Sequence, residues 1–229
     1  MLKGFFSFCL STNTLFVPDA LRTTLIASRN VREIVHAESW ISWWREDGKG
    51  NGSVFGVPLA RLLKACDNVP VARIMPNVLC SVGEGATCYC VSPCTDSAHA
   101  LLLQALRSFG LVHAITEDLF DAYCAISGSS PAFVCSFVEA LIDGGVKCGL
   151  PRQLATEAAL QSVRGTATLV QMKEIHPALL RDDITSPGGT TIAGVLAMER
   201  RAFRAAVADA VEATCERSKE IGLTLSKCS

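Results

Sequence analysis

The sequence predicts an α/β segment followed by an all-helical region, and three observations carry that expectation. Between Gly56 and about Glu117, helical and extended patterns alternate, as in part of an α/β domain with a parallel sheet. From Thr116 onward every patterned stretch has helical spacing. Residues 1 to about 52 fit neither pattern: they are irregular and close with "GKGNGS", a loop-like composition. The boundaries that follow are 1–115 for an incomplete, divergent α/β domain (1–52 irregular) and 116–229 for the helical domain.

In the α/β segment "PLARLLKAC" reads as helix, "PVARIM" and "GATCYCV" as extended, "SAHALLLQALRSFG" as helix and "LVHAI" as extended. Thr116 is placed to cap the helix "EDLFDAYCAIS", with Glu117 and Asp118 favourable in its first turn. Pro131 then opens "PAFVCSFVEALIDGGVKCG" at N1, and Gly149 stops it. Phe133, Phe137 and Leu141 form one i, i+4 stripe, with Val134 and Val138 another. "PRQLATEAALQSVRGTATLVQ" follows, and a last helix carries Phe203, Val207, Ala210 and Val211 on one face. A helix apolar around most of its girth needs neighbours on several sides, and so few helices imply another subunit.

The 229 residues are 49% hydrophobic with net charge −1, enough for one large domain or two small ones. A near-neutral chain has no basic field for nucleic acid. No apolar run approaches the roughly 18 residues of a membrane span, so no membrane is expected. The opening "MLKGFFSFCLSTNTLFVPDA" is a poor secretory signal. Eleven cysteines include Cys88, Cys90 and Cys94 with His99 nearby, but that spacing lacks the paired C-x-x-C of structural zinc. No metal is expected. Cys124, Cys135 and Cys148 sit among apolar residues as small hydrophobes, and reduced thiols favour a reducing, cytoplasmic setting.

"SPGGTTIAG", Ser186 to Gly194, puts two glycines directly before a helical run, where glycine costs about 1 kcal/mol against alanine. Glycine leaves backbone amides bare, and amides at a helix N-terminus attract anions such as carboxylate or phosphate. A tight turn after Pro187 explains the same residues equally well.

"RIMPN", "GEGAT", "EDLFDAYCAISGSSPAF", "EALIDGGVKCGLPR", "HPALLRDDITSPGGTTIAG" and "FRAAVADAVEATCERSKEIG" together resemble pyrroline-5-carboxylate reductases, in order, from about Gly56 to Gly222. The resemblance implies a Rossmann-like dinucleotide-binding domain followed by an all-α dimerisation domain that interlocks with a partner's. It implies reduction of the cyclic imine to L-proline with NADPH or NADH, by a homodimer or higher homo-oligomer. It places the substrate carboxylate on Ser186, Gly188, Gly189 and Thr190, and gives Thr191 a hydrogen bond to the ring nitrogen. It also gives Glu117 the part of an adjacent acid, since hydride addition to an imine is easiest when the nitrogen is protonated. Toward the cofactor it sets Val54, Phe55, Gly56, Asn77 and Asp183.

The pattern also fails in places. The strand followed by G-x-G-x-x-G that seats a pyrophosphate is absent: in "GKGNGSVFG" the third glycine position holds Ser53 or Phe55. "MPNVL" has Val78 and Leu79 where the family usually has threonine and proline, and Ser130 replaces a usual glycine. Two expectations follow. One is a proline-forming reductase whose N-terminal segment is truncated or wrongly assembled in this chain. The other is a non-catalytic member acting as a scaffold or oligomer subunit.

Overall fold

The computed structural model describes residues 8–9, 14–15, 58–60, 72–93 and 96–227. The "GKGNGS" loop, most of "PLARLLKAC", Cys94 and the cofactor-side residues Val54, Phe55 and Gly56 lie outside the described residues. Leu59 and Ala60 are helical, and β1 (Phe8–Cys9) pairs antiparallel with β2 (Thr14–Leu15).

A three-stranded sheet has the order β3 (Ala72–Met75), β4 (Gly85–Val91), β5 (Gly110–Ala114). β4 and β5 are parallel, Gly85 opposite Gly110 and Tyr89 opposite Ala114, joined through α1 (Asp96–Arg107). β3 is antiparallel to β4, Ala72 opposite Val91 and Met75 opposite Cys88, which corrects the expectation of a wholly parallel sheet. The reason is chain length. Only residues 76–84, including a tight helical turn at Val78–Val82, join β3 to β4, and a parallel crossover needs a dozen or more. Ala72, Tyr89, Leu102 and Leu106 form the core, with Ile74, Val91, Leu103 and Val112 against it. Tyr89 reaches the His99 Nε2 at 3.0 Å. Successive strand residues face opposite ways, so this bond draws His99 away from the face that Cys88 and Cys90 share.

After β5 the chain is helical, as expected from Thr116 onward. Thr116 occupies the N-cap position, but its hydroxyl makes no capping bond; the Leu119 N–H donates to the Thr116 carbonyl at 3.2 Å. A tight turn (Glu117–Leu119), α2 (Phe120–Cys124), a wide π turn (Ala125–Ser129) and α3 (Ser130–Lys147) then run on as one continuous helical stretch. Pro131 stands in the first turn of α3, as read from the sequence, but α3 is continuous with the turns before it. That continuity also means that Glu117–Lys147 is long and apolar enough to cross a membrane, contrary to the shorter runs read from sequence. Gly149, at φ 100, ends α3 in the left-handed conformation that favours glycine. α4 (Arg152–Lys173), α5 (Pro177–Ile184), α6 (Thr190–Glu199) and α7 (Phe203–Lys227) follow.

The chain divides into two compact units: residues 1–128 with 213–229, and residues 129–212. The sequence reading set its boundary at 115/116. The first turns after β5 group with the sheet because they are tied to it: Arg73 stacks on Phe120, and Asn77 bonds the Ser127 carbonyl. The Ser218 hydroxyl on α7 likewise donates to Asp121 Oδ1. In the second unit α3 packs on α4, and Phe137 lies against Phe203 with ring centroids 5.8 Å apart.

Candidate functional site

The segment between α5 and α6 is built without slack. His176 caps α5, accepting from the Ala178 N–H at 3.2 Å, with Pro177 in its first turn. At the other end the Thr185 N–H donates to the Asp182 carbonyl, and the Thr185 hydroxyl to the Arg181 carbonyl at 2.6 Å. Ser186, Pro187, Gly188 and Gly189 then make a tight turn closed by the Gly189 N–H on the Ser186 carbonyl at 3.1 Å. Proline presets the second position, and Gly188, at φ 68, supplies the left-handed third.

Gly189 is the N-cap of α6. A Cβ there would overlap the Ser186 hydroxyl, so glycine at 189 leaves that hydroxyl its place. The glycines make a tight turn, as one of the two readings had it, and the turn leads into the N-terminus of α6. One detail changes. The Gly189 amide is spent on the turn, so the first-turn amides left without an acceptor in the helix include those of Thr190 and Thr191. The turn is open to solvent at Ser186 and Gly188, and Thr191 is half-buried in the first turn of α6. The start of α6 carries partial positive charge, with the Ser186 and Thr191 hydroxyls in the same short segment.

The other sequence-derived residues are placed differently. Asp183 is exposed in the last turn of α5, beside the Arg181–Asp182 ion pair. Asn77 is 7% exposed and largely committed. Its Nδ2 donates to the Ser127 carbonyl at 2.8 Å, and its Oδ1 accepts from the Ala86 N–H at 3.3 Å. The cause lies at Pro131, four residues past Ser127. Proline has no N–H to return to that carbonyl, so the helix widens into the π turn and Asn77 supplies the missing donor. The Ser127 hydroxyl, also buried, has no hydrogen-bond partner.

Glu117 belongs to the first unit and the Ser186–Thr191 turn to the second. Its Oε1 accepts from Arg73 Nη1 at 2.8 Å and from the Leu59 N–H. Arg73 lies on β3 with only 12% of its side chain exposed, its guanidinium 4.3 Å over the Phe120 ring. Arg73 was not singled out from sequence. An arginine inside the apolar strand "VARIM" is the signal that could have found it, because a buried charge needs a partner.

Burial holds the nearby thiols protonated. Desolvation pushes the Cys88 thiol up to about 12, with Cys124 adding to the rise and Arg73 opposing it. It pushes Cys124 up to about 11, aided by Asp121. Cys90 is raised mainly by the same cause. Among the described residues Cys80, Cys88, Cys90, Cys124, Cys135, Cys148 and Cys215 are all free.

The family model for pyrroline-5-carboxylate reductase dimerisation matches residues 117–221. A pyrroline carboxylate reductase of Plasmodium falciparum, solved with NADP bound, aligns at TM-score 0.69 and 36% identity, covering 73% of this chain and 68% of that one. This chain belongs to the pyrroline-5-carboxylate reductase family. Among curated relatives, the Synechocystis reductase is 44% identical over 168 residues, 73% of this chain and 63% of its own length. The Arabidopsis thaliana reductase is 44% identical over 150 residues, 65% of this chain and 54% of its own length. The chain thus spans somewhat over half the length of the curated reductases it matches. Their fold, a Rossmann domain followed by a helical dimerisation domain, is the class expected from the sequence.

Proposed function

We propose that this chain is a reductase subunit that takes 1-pyrroline-5-carboxylate to L-proline, the last step of proline synthesis, with NADPH or NADH as reductant. The observation that carries the reading is the closed Ser186–Gly189 turn leading directly into α6. It offers the substrate carboxylate the Thr190 and Thr191 amides and the Ser186 hydroxyl. The Thr191 hydroxyl, half-buried in that first turn, is the group we assign to the ring nitrogen as the imine becomes an amine. We place the protein in the cytoplasm, where free thiols are stable, as a homodimer or larger homo-oligomer with no nucleic-acid or membrane partner. The named dimerisation domain and the exposed apolar faces of α3 and α4 support the oligomer.

The described residues do not by themselves fit a dinucleotide. The sequence has no G-x-G-x-x-G, and Asn77 gives its carbonyl and an amide hydrogen to the backbone. This favours a second reading, a catalytically impaired subunit of a homo- or mixed oligomer. Losing two charge-assisted hydrogen bonds to a pyrophosphate, at about 1.5–3 kcal/mol each, lowers affinity by about 10² to 10⁴.

Calorimetry with L-proline and NADPH oxidation with pyrroline-5-carboxylate test both readings. L-proline binding is expected, weakened by Gly189→Leu far more than by Gly144→Leu, since a Cβ at Gly144 meets nothing within 4 Å. Equal effects at the two glycines reject the carboxylate seat. Turnover of the chain as it stands is expected to be slow and to rise when a strand-GxGxxG-helix segment is joined upstream of Ser53. Thr191→Ala should lower turnover in that fusion. Ordinary enzyme rates without the fusion reject the impaired-subunit reading.

A further inference from the structure

We infer that Glu117 is a positioning residue, whose carboxylate fixes the backbone at Leu59 against Arg73 and Phe120, rather than the acid that protonates the substrate. The inference rests on the proposed reductase reading only in naming the role that Glu117 is relieved of. Three observations carry it, all within the first unit.

Glu117 Oε1 accepts the Leu59 N–H, the first helical amide after Pro58. An amide at the start of a helix has no acceptor within it, so a carboxylate there satisfies the donor and opposes the helix dipole. The same oxygen accepts from Arg73, so one atom joins the Leu59 backbone to β3. Phe120, three residues along the chain, covers the other side of that guanidinium at 4.3 Å. The grouping has a consequence for acid chemistry. To donate a proton Glu117 would first have to carry one, and a neutral carboxyl cannot form the ion pair that Arg73, nearly enclosed, requires. Leu59 follows three residues after Gly56, so what Glu117 fixes is the path of the chain just beyond the Val54–Gly56 segment.

Site-resolved hydrogen exchange and L-proline calorimetry on the full chain test this. In Glu117→Ala the Leu59 amide should exchange at least tenfold faster, while the Gly189 amide, bonded to Ser186, keeps its rate. Glu117→Gln retains a carbonyl for Leu59 but not the charge for Arg73, and should restore part of the protection. L-proline affinity should stay within twofold in Glu117→Gln. Unchanged Leu59 exchange in Glu117→Ala overturns the inference, as does a tenfold loss of L-proline affinity in Glu117→Gln. Should Glu117→Ala lose protection at both amides together, Glu117→Gln decides: a faster Leu59 with an unchanged Gly189 supports the inference, and no change overturns it. If the unsubstituted chain does not bind L-proline, the reductase reading fails and the exchange measurements still decide the role of Glu117.

Discussion

The two units solve the same problem in opposite ways. In the first, Cys88, Thr87, Tyr89 and Phe120 are all but closed to water, and Arg73, largely enclosed, has its partner in Glu117. In the second, α3 is eighteen mostly apolar residues of which none is buried. Val134, Leu141, Leu154 and Leu160 stand exposed, as does Met172, at 79%. Apolar surface on this scale marks an association face. The first unit also exposes Val82, Leu111 and Ile126, but the family's dimerisation region covers the whole of the second.

The largest effect expected from breaking this contrast is on assembly. Val134 and Leu141 lie seven residues apart on α3, hence on one face. Val134→Glu with Leu141→Glu should convert a dimer or larger oligomer to monomer in sedimentation at micromolar concentration, with the sheet unit's near-ultraviolet signal retained. A stable monomer of the unsubstituted chain would remove the contrast altogether.

A smaller effect concerns the buried polar contacts of the first unit. Asn77→Ala leaves the Ser127 carbonyl buried without its donor, at a cost of about 1–3 kcal/mol by denaturant unfolding. Pro131→Ala returns an N–H to the helix, so the same Asn77→Ala change should cost less in that background. Equal costs in the two backgrounds would mean that Asn77 does not compensate for the proline.

An effect of comparable size is that of pH. A free thiol titrates near 9.0, and burial pushes the Cys88 thiol up to about 12 in the folded chain. The folded state therefore holds the proton longer. Stability is fully present below about pH 9 and falls as pH rises toward 12. Unfolding midpoints at pH 8, 9.5 and 10.5 should decline in that order, and Cys88→Ala should flatten the decline. An unchanged slope in Cys88→Ala would assign the decline to other groups.

What the sequence made legible follows from range. The helices opening near Thr116 and Pro131, the Gly149 stop and the three strands are local patterns, and they stand where periodicity and turn residues put them. The Ser186–Thr191 turn was legible for the same reason, since proline and glycine set its geometry within four residues. Pairings between distant residues were not. The antiparallel β3 depends on counting the short link to β4, and the bond from Asn77 to the Ser127 carbonyl spans 50 residues. Glu117 looked like an ordinary first-turn acid for the same reason: Arg73 lies 44 residues away and Leu59 lies 58.

Gly188 constrains chemistry at its position in an unusual way. A Cβ added there would meet no atom within 4 Å, so room is not what excludes a side chain. The exclusion comes from φ 68, which costs an L-residue about 1–2 kcal/mol. For a D-residue the same backbone is the relaxed one. A D-alanine introduced at 188 by chemical ligation would thus keep the turn, whereas L-alanine, with the same atoms, would strain it. The position selects for handedness, and size is immaterial to it.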